Sequence, residues 1–192
     1  MEIAIISRKG GVGKSLISVM LRDCFSSNGH RAVIRDWDPQ GTATKSLRNE
    51  PEGLLQDGDD YEVLISDTPP SLSHPATLFA VEHSSIILVV TTPAPVDMWE
   101  AEASAEFARR TNPGAVVRLA VNRLKPRTIV GDSLGALLDD QGTPACEVKI
   151  HERECYKRAP VLGWGALTKD ASAEITELAL ELAMINNKAV AA

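Results

Sequence analysis

The residues best suited to chemistry stand together near the start of the chain, in Arg8-Lys9-Gly10-Gly11-Val12-Gly13-Lys14-Ser15. Closely spaced glycines let successive backbone N–H groups turn inward around an anion, and a helix starting just after them adds the positive end of its dipole. A lysine beside such a loop neutralises β- and γ-phosphate oxygens, and the adjoining hydroxyl ligates Mg²⁺. The spacing therefore predicts a polyphosphate cradle of Gly10, Gly11, Val12 and Gly13, closed by Lys14 and Ser15. It departs from the usual G-x-x-x-x-G-K-S/T pattern, because Arg8 stands where that pattern has its first glycine and Lys9 adds a second lysine at the mouth. Two further polar segments follow apolar runs: Asp36-Trp37-Asp38-Pro39-Gln40-Gly41 and Asp67-Thr68-Pro69-Pro70. Carboxylates at such points can hold water on a metal ion, although an aspartate ending a strand is also an ordinary turn residue.

Such side chains need a scaffold, and the pattern of the chain supplies one. Apolar runs at residues 3–7, 32–36, 63–67, 86–91, 116–122 and 147–150 predict strands, several of them nearly continuous in Val, Ile and Leu, as parallel strands covered on both faces require. Helical spacing appears at 15–27, where Asn28-Gly29 gives a stop signal, and at 97–111, 132–140 and 172–187. Strand–helix alternation of this kind implies an α/β fold with a doubly wound, mostly parallel sheet, in one domain spanning residues 1–192. Ligands on such sheets bind beyond the carboxyl ends of the strands, which is where both aspartate segments fall.

Composition narrows the function classes. A chain of 192 residues with 44% hydrophobic and 24% charged residues is that of an ordinary globular domain. No apolar run approaches the ~20 residues of a membrane span, and a strand at the very start leaves no charged leader, so a cytoplasmic location is expected. Cys24, Cys146 and Cys155 are scattered, which speaks against a disulfide framework or a metal site and for buried thiols. The net charge is −6, yet residues 118–158 hold eight Lys/Arg against six Asp/Glu, so the C-terminal third can present a local basic face. Residues 50–62 carry six acids and no base and are expected to form a solvated loop.

The three motifs together resemble the ParA/MinD family of P-loop NTPases, in its small ParA-type partition ATPases. K-G-G-V-G-K-S is similar to their deviant Walker A loop, D-W-D-P-Q-G to switch I, and the aspartate of V-L-I-S-D-T-P-P to Walker B and switch II. The likeness continues through Thr92-Pro93-Ala94-Pro95-Val96-Asp97, Asn122-Arg123 and residues 150–159, and so covers essentially the whole chain. Trp37, bulky for a switch, and Ser66, polar before the Walker B position, depart from the pattern.

What the resemblance implies is an ATP hydrolase. Lys9 through Ser15, with Leu16, Asn122 and Arg123, would contact ATP, with Asn122 on the adenine. Ser15, Asp36 and Asp67 would serve Mg²⁺. Lys14 would neutralise transition-state charge, Asp38 would orient the attacking water, and Lys9 would reach the phosphates of a partner across an ATP-sandwiched homodimer. The family also implies non-specific DNA binding, for which Arg123, Lys125, Arg127, Arg153, Lys157 and Arg158 are the candidates, a ParB-like adaptor, no membrane, and a nucleoid-associated location. Read as residues alone, Asp36 serves equally as a strand-end cap, Asn122 as a turn residue and Lys9 as a solvated lysine.

Other classes on similar folds lack their marks. A MinD-like membrane ATPase would end in a basic amphipathic helix, whereas residues 186–192 have one lysine and no aromatic. Iron–sulfur relatives need cluster cysteines. A metabolic ligase would keep the phosphate loop without the D-x-D-P-Q-G switch, and a nicotinamide enzyme would want G-x-G-x-x-G. The remaining alternative is a nucleotide-gated protein scaffold or a MinD-like positioning ATPase, not acting on DNA. Plasmids, chromosome regions and carboxysomes are all cargoes of this family.

Overall fold

The computed structural model describes residues 1–190. The tail reading therefore runs past them, and residues 191–192 lie outside the described residues. Five parallel strands form one sheet in the order β2-β3-β1-β4-β5: β1 (Glu2–Ile6), β2 (Ala32–Asp36), β3 (Val63–Asp67), β4 (Ile86–Thr91) and β5 (Val116–Val121). Side chains alternate across it. Ile3, Ile5, Ile86, Leu88 and Val90 pack on one face with α1 (Lys14–Ser27) and residues of the C-terminal α7 (Glu154–Leu162) and α8 (Lys169–Val190). Ala4, Ile6, Ile87 and Val89 pack on the other with residues of α3 (Pro75–His83) and α4 (Pro95–Thr111). Period-2 burial on both faces is what turns near-continuous Val/Ile/Leu runs into parallel strands.

Shorter helices complete the chain: α2 (Thr42–Ser46), α5 (Ile129–Asp132) and α6 (Leu134–Asp139). The helix expected at 132–140 is thus two short ones meeting at Ser133. No sixth strand forms at 147–150. Cys146 and Ile150 donate to the carbonyls of Leu119 and Val121, so four residue steps on this segment face two on β5, and the excess breaks the ladder into isolated bridges. The acidic stretch 50–62 is mostly exposed, as a solvated loop, and is pinned to the body at three points. Glu50 bonds Arg22, Asp60 bonds Arg31, and Leu54 bridges to Ile34 beside β2. All three cysteines are buried thiols.

The phosphate loop leaves the carboxyl end of β1, the central strand, where the connection from β3 crosses to β4 on its other side. That is the switch point at which such sheets open a crevice. Asp36 and Asp67 stand in register at the ends of neighbouring strands, so topology alone sets both carboxylates beside the loop.

Candidate nucleotide site

Gly13 precedes α1 with φ 100°, a left-handed backbone that disfavours any side chain, and its carbonyl accepts the first helical bond from Ile17. Lys14, the first helical residue, is buried at 6% exposure. Burial pulls its ammonium below the usual lysine range, while Asp67 and Asp38 draw it back up. Two of the predicted site carboxylates thus act on the loop lysine. Asp67 is fully buried, and burial, aided by the nearby Asp36, pushes its carboxyl up to about 6 against the pull of the Ser15 and Ser18 hydroxyls and Lys14. Ser18 donates to its Oδ1 at 3.1 Å, and its Oδ2 has no partner of hydrogen-bonding geometry. A buried carboxylate oxygen without a partner, beside a lysine and two serines, fits a hydrated Mg²⁺ on a polyphosphate.

The switch segment is ordered by its own carboxylates. Asp36 Oδ1 accepts from the Asp38 N–H at 3.1 Å, and Oδ2 accepts from both the N–H and hydroxyl of Thr44 at 2.8 Å, fixing the start of α2. Asp36 thus holds the first turn of α2 and stands in register beside Asp67. Asp38 Oδ1 accepts from Gln40 N–H at 3.0 Å, which leaves its other oxygen for an incoming group. Trp37 packs edge-on against Phe79 of α3, with ring centroids 5.7 Å apart.

Sequence reasoning missed what holds the mouth of the loop. Lys9 Nζ bonds Asp97 Oδ1, and the Thr92 hydroxyl donates to Asp97 Oδ2 at 2.6 Å. Burial alone would raise the Asp97 carboxyl; Lys9 and Thr92 reverse this and leave it below the usual carboxylate range. One turn on, Glu100 pairs with Arg8 at 3.3 Å, so α4 restrains both cations before the glycines. The available signal was an acid in the first turn of a helix opened by Pro95, which reads from sequence only as a dipole partner. A cavity of about 670 Å³ opens here between Lys9–Val12, residues 92–97 and the loop of Arg123, Lys125 and Thr128.

On the other side of the loop lies a second cavity, about 400 Å³, lined among others by Gly13, Leu16, Asn122, Arg123, Tyr156 and Pro160. Leu16, Asn122 and Arg123 are thus brought together around one cavity, and the Asn122 amide makes one bond to backbone at each end, keeping a second N–H and a second lone pair. Its Nδ2 donates to Val12 O at 2.8 Å and its Oδ1 accepts from Arg123 N–H at 2.9 Å. The six candidate DNA contacts divide. Lys125 pairs with Glu152, Arg153 with Glu174 and Asp170, and Lys157 with Glu154, whereas Arg123, Arg127 and Arg158 are exposed and make no ion pair among the described residues. Glu174 gathers His151, Arg153 and Tyr156 onto one buried carboxylate, a cluster that joins α7 to α8.

A glycine-turned loop on the central parallel strand, a buried lysine heading α1 and paired strand-end aspartates define a P-loop nucleotide-binding protein, and residues 3–164 match the CbiA family, the CobQ/CobB/MinD/ParA nucleotide binding domain, to which the chain belongs. Among its relatives is the maintenance of carboxysome distribution protein A of Gloeobacter kilaueensis, 30% identical over 94% of this chain and 93% of the relative. The protein of the same name from Halothiobacillus neapolitanus is 26% identical over 94% and 95%. The fold is shared with a solved plasmid partition protein of Borrelia burgdorferi bound to AMPPNP, at a TM-score of 0.76 and 18% identity over 95% of this chain and 98% of that one. No helix among the described residues is long and apolar enough to cross a membrane.

Proposed function

We propose that this chain is an Mg²⁺-dependent ATPase that dimerises on ATP and, with an adaptor protein, positions a large cargo, a protein assembly of the carboxysome kind before a plasmid. The observation that carries the reading is the near end-to-end likeness to two carboxysome distribution proteins. The D-W-D-P-Q-G switch supports a positioning ATPase over a metabolic synthetase, because a synthetase has no use for it. ATP bound in the loop supplies the transferable γ-phosphoryl group. Gly10–Gly13 would hold its phosphates, Lys14 would offset their growing charge, and Ser15 and Asp67, with Asp36 behind them, would hold Mg²⁺. Asp38 would align water. Lys9 must leave Asp97 to reach a partner's phosphates, so dimerisation exchanges one ion pair for another.

Light scattering with and without ATP and Mg²⁺ tests this. Wild type is expected to double in mass, Lys9→Ala to double poorly, and Lys14→Ala to lose nucleotide binding altogether. A mass independent of ATP sinks the proposal. A second reading, a nucleotide-gated scaffold that never touches DNA, is favoured by the carboxylates that neutralise Lys125, Arg153 and Lys157. In the first reading the dimer rides non-specific DNA and is nucleoid-associated in the cytoplasm.

A further inference from the structure

Between Asp36 and Asp38 stands a tryptophan whose setting differs from that of either neighbour. The Trp37 N–H donates to the Asp67 carbonyl at 2.8 Å, which carries the β2–β3 ladder one step past its paired ends, Asp36 and Asp67. Its ring belongs to the α3–α4 side of the sheet, packed on the cluster that holds Ala80, Val81 and Met98. Phe79 meets it edge-on at 5.7 Å between centroids and is itself stacked on His83 at 4.0 Å. The Arg35 guanidinium lies 5.3 Å from the centre of the indole, within cation–π range. Asp38 follows directly, and its own bonds are local ones, to Asp36 before it and to Gln40 and Gly41 after it. On its N-terminal side, the link from Asp38 to the body of the fold therefore runs through Trp37. The indole N–H adds nothing to this link, being buried without an acceptor among the described residues. What the segment uses is the area and shape of the ring.

We infer that Trp37 is a positioning residue for hydrolysis: its ring, anchored on Phe79, holds Asp38 where the water-aligning carboxylate must stand. The inference deepens the ATPase reading above and rests on it. Phosphate release in a single turnover, with the full chain in excess over ATP and Mg²⁺, isolates the chemical step, and ATP titration of the same samples gives the affinity. Trp37→Ala is expected to slow release about tenfold to a hundredfold, as a small misplacement of a reacting group does, while ATP affinity and the ATP-driven doubling of mass are kept. Trp37→Phe keeps a ring and removes only the unpartnered donor, so it is expected to release phosphate at the wild-type rate. Phe79, 42% exposed, tolerates truncation better. Phe79→Ala is expected to slow release in the same way, and the double variant to be no slower than Trp37→Ala alone, because both changes remove one contact.

A wild-type rate in Trp37→Ala overturns the inference and leaves the ATPase reading intact. So does a loss carried by ATP affinity at an unchanged rate, which makes Trp37 a structural support only, or a Trp37→Phe as slow as Trp37→Ala. Should Trp37→Ala fail to fold, the other two variants decide: slow release by Phe79→Ala beside a wild-type rate in Trp37→Phe supports the inference, and an unslowed Phe79→Ala overturns it. A wild type that releases no phosphate overturns the ATPase reading and this inference with it.

Discussion

Asp67 carries two demands that pull against each other. In the ligand-free chain its carboxyl is buried near Asp36 and is pushed up to about 6, so ionising it at neutral pH costs stability. The folded-state value lies above the ordinary 3.8; protonation therefore favours the fold, fully below about pH 4, and that contribution is lost as pH rises through 6. Asp67→Asn is accordingly expected to stabilise the ligand-free protein at pH 8, by up to about 3 kcal/mol, and to leave it nearly unchanged at pH 4. Urea unfolding at the two pH values checks this, and equal effects at both would refute it. In its proposed role on Mg²⁺ the carboxylate must be ionised, so Mg²⁺-nucleotide affinity should fall as pH drops through 6, and Asp67→Asn should weaken it at every pH. Asp38 is the complementary case, a half-buried carboxylate that orders the switch through Gln40. Asp38→Ala should retain ATP-driven dimerisation while slowing phosphate release by two orders of magnitude or more, about 3 kcal/mol of barrier. Phosphate release at the wild-type rate would move the water-orienting role to another side chain.

At the scale of elements, α8 shows how the C-terminal third holds the site in place. Ile175, Leu178, Ala179 and Leu182 form one buried stripe on α1, whose first residue is Lys14. Leu182 is completely buried, so Leu182→Ala should cost about 2–5 kcal/mol of unfolding free energy. Nucleotide affinity below the unfolding transition should change little, because the cavity forms far from the loop; denaturant melts paired with nucleotide titrations would read both. This stripe was legible in the sequence, as were all five strands to within a residue, because burial on both faces writes itself as unbroken Val/Ile/Leu. The helices α2, α3 and α7 were not. The first is a five-residue turn held by Asp36; α3 begins with a His74 ring capping Ala76 and shows no clear stripe; α7 contains Pro160. Within the site, the phosphate loop and strand-end aspartates were readable because their chemistry is local in sequence. The Lys9–Asp97 pair spans 88 residues and the Asn122–Val12 bond spans 110, and contacts at such distance leave no spacing to read.

The charge of the whole molecule sets the terms for any nucleic-acid contact. A chain of net charge −6 can bind DNA only through a local concentration of cations, and the ion pairs of α7 and α8 reduce what residues 118–158 have to offer. Arg153 in particular lies against Glu174 and Asp170. Reversing its charge would set acids together in a half-buried cluster, and any loss of DNA binding would then report damage to the α7–α8 contact. Arg127 and Arg158 are exposed and outside such clusters, so they make the cleaner test. If a dimer pools these cations, DNA binding should appear with ATP and not with ADP, ignore sequence, and fall linearly in log affinity against log salt. Arg127→Glu with Arg158→Glu should abolish it and flatten the salt slope while leaving the ATP-driven doubling of mass intact. Electrophoretic shifts on two unrelated duplexes across a salt series, beside light scattering on the same samples, carry out the test. Equal binding with ADP, or binding undiminished by the double reversal, would remove DNA from the proposed cycle and favour the protein-scaffold reading.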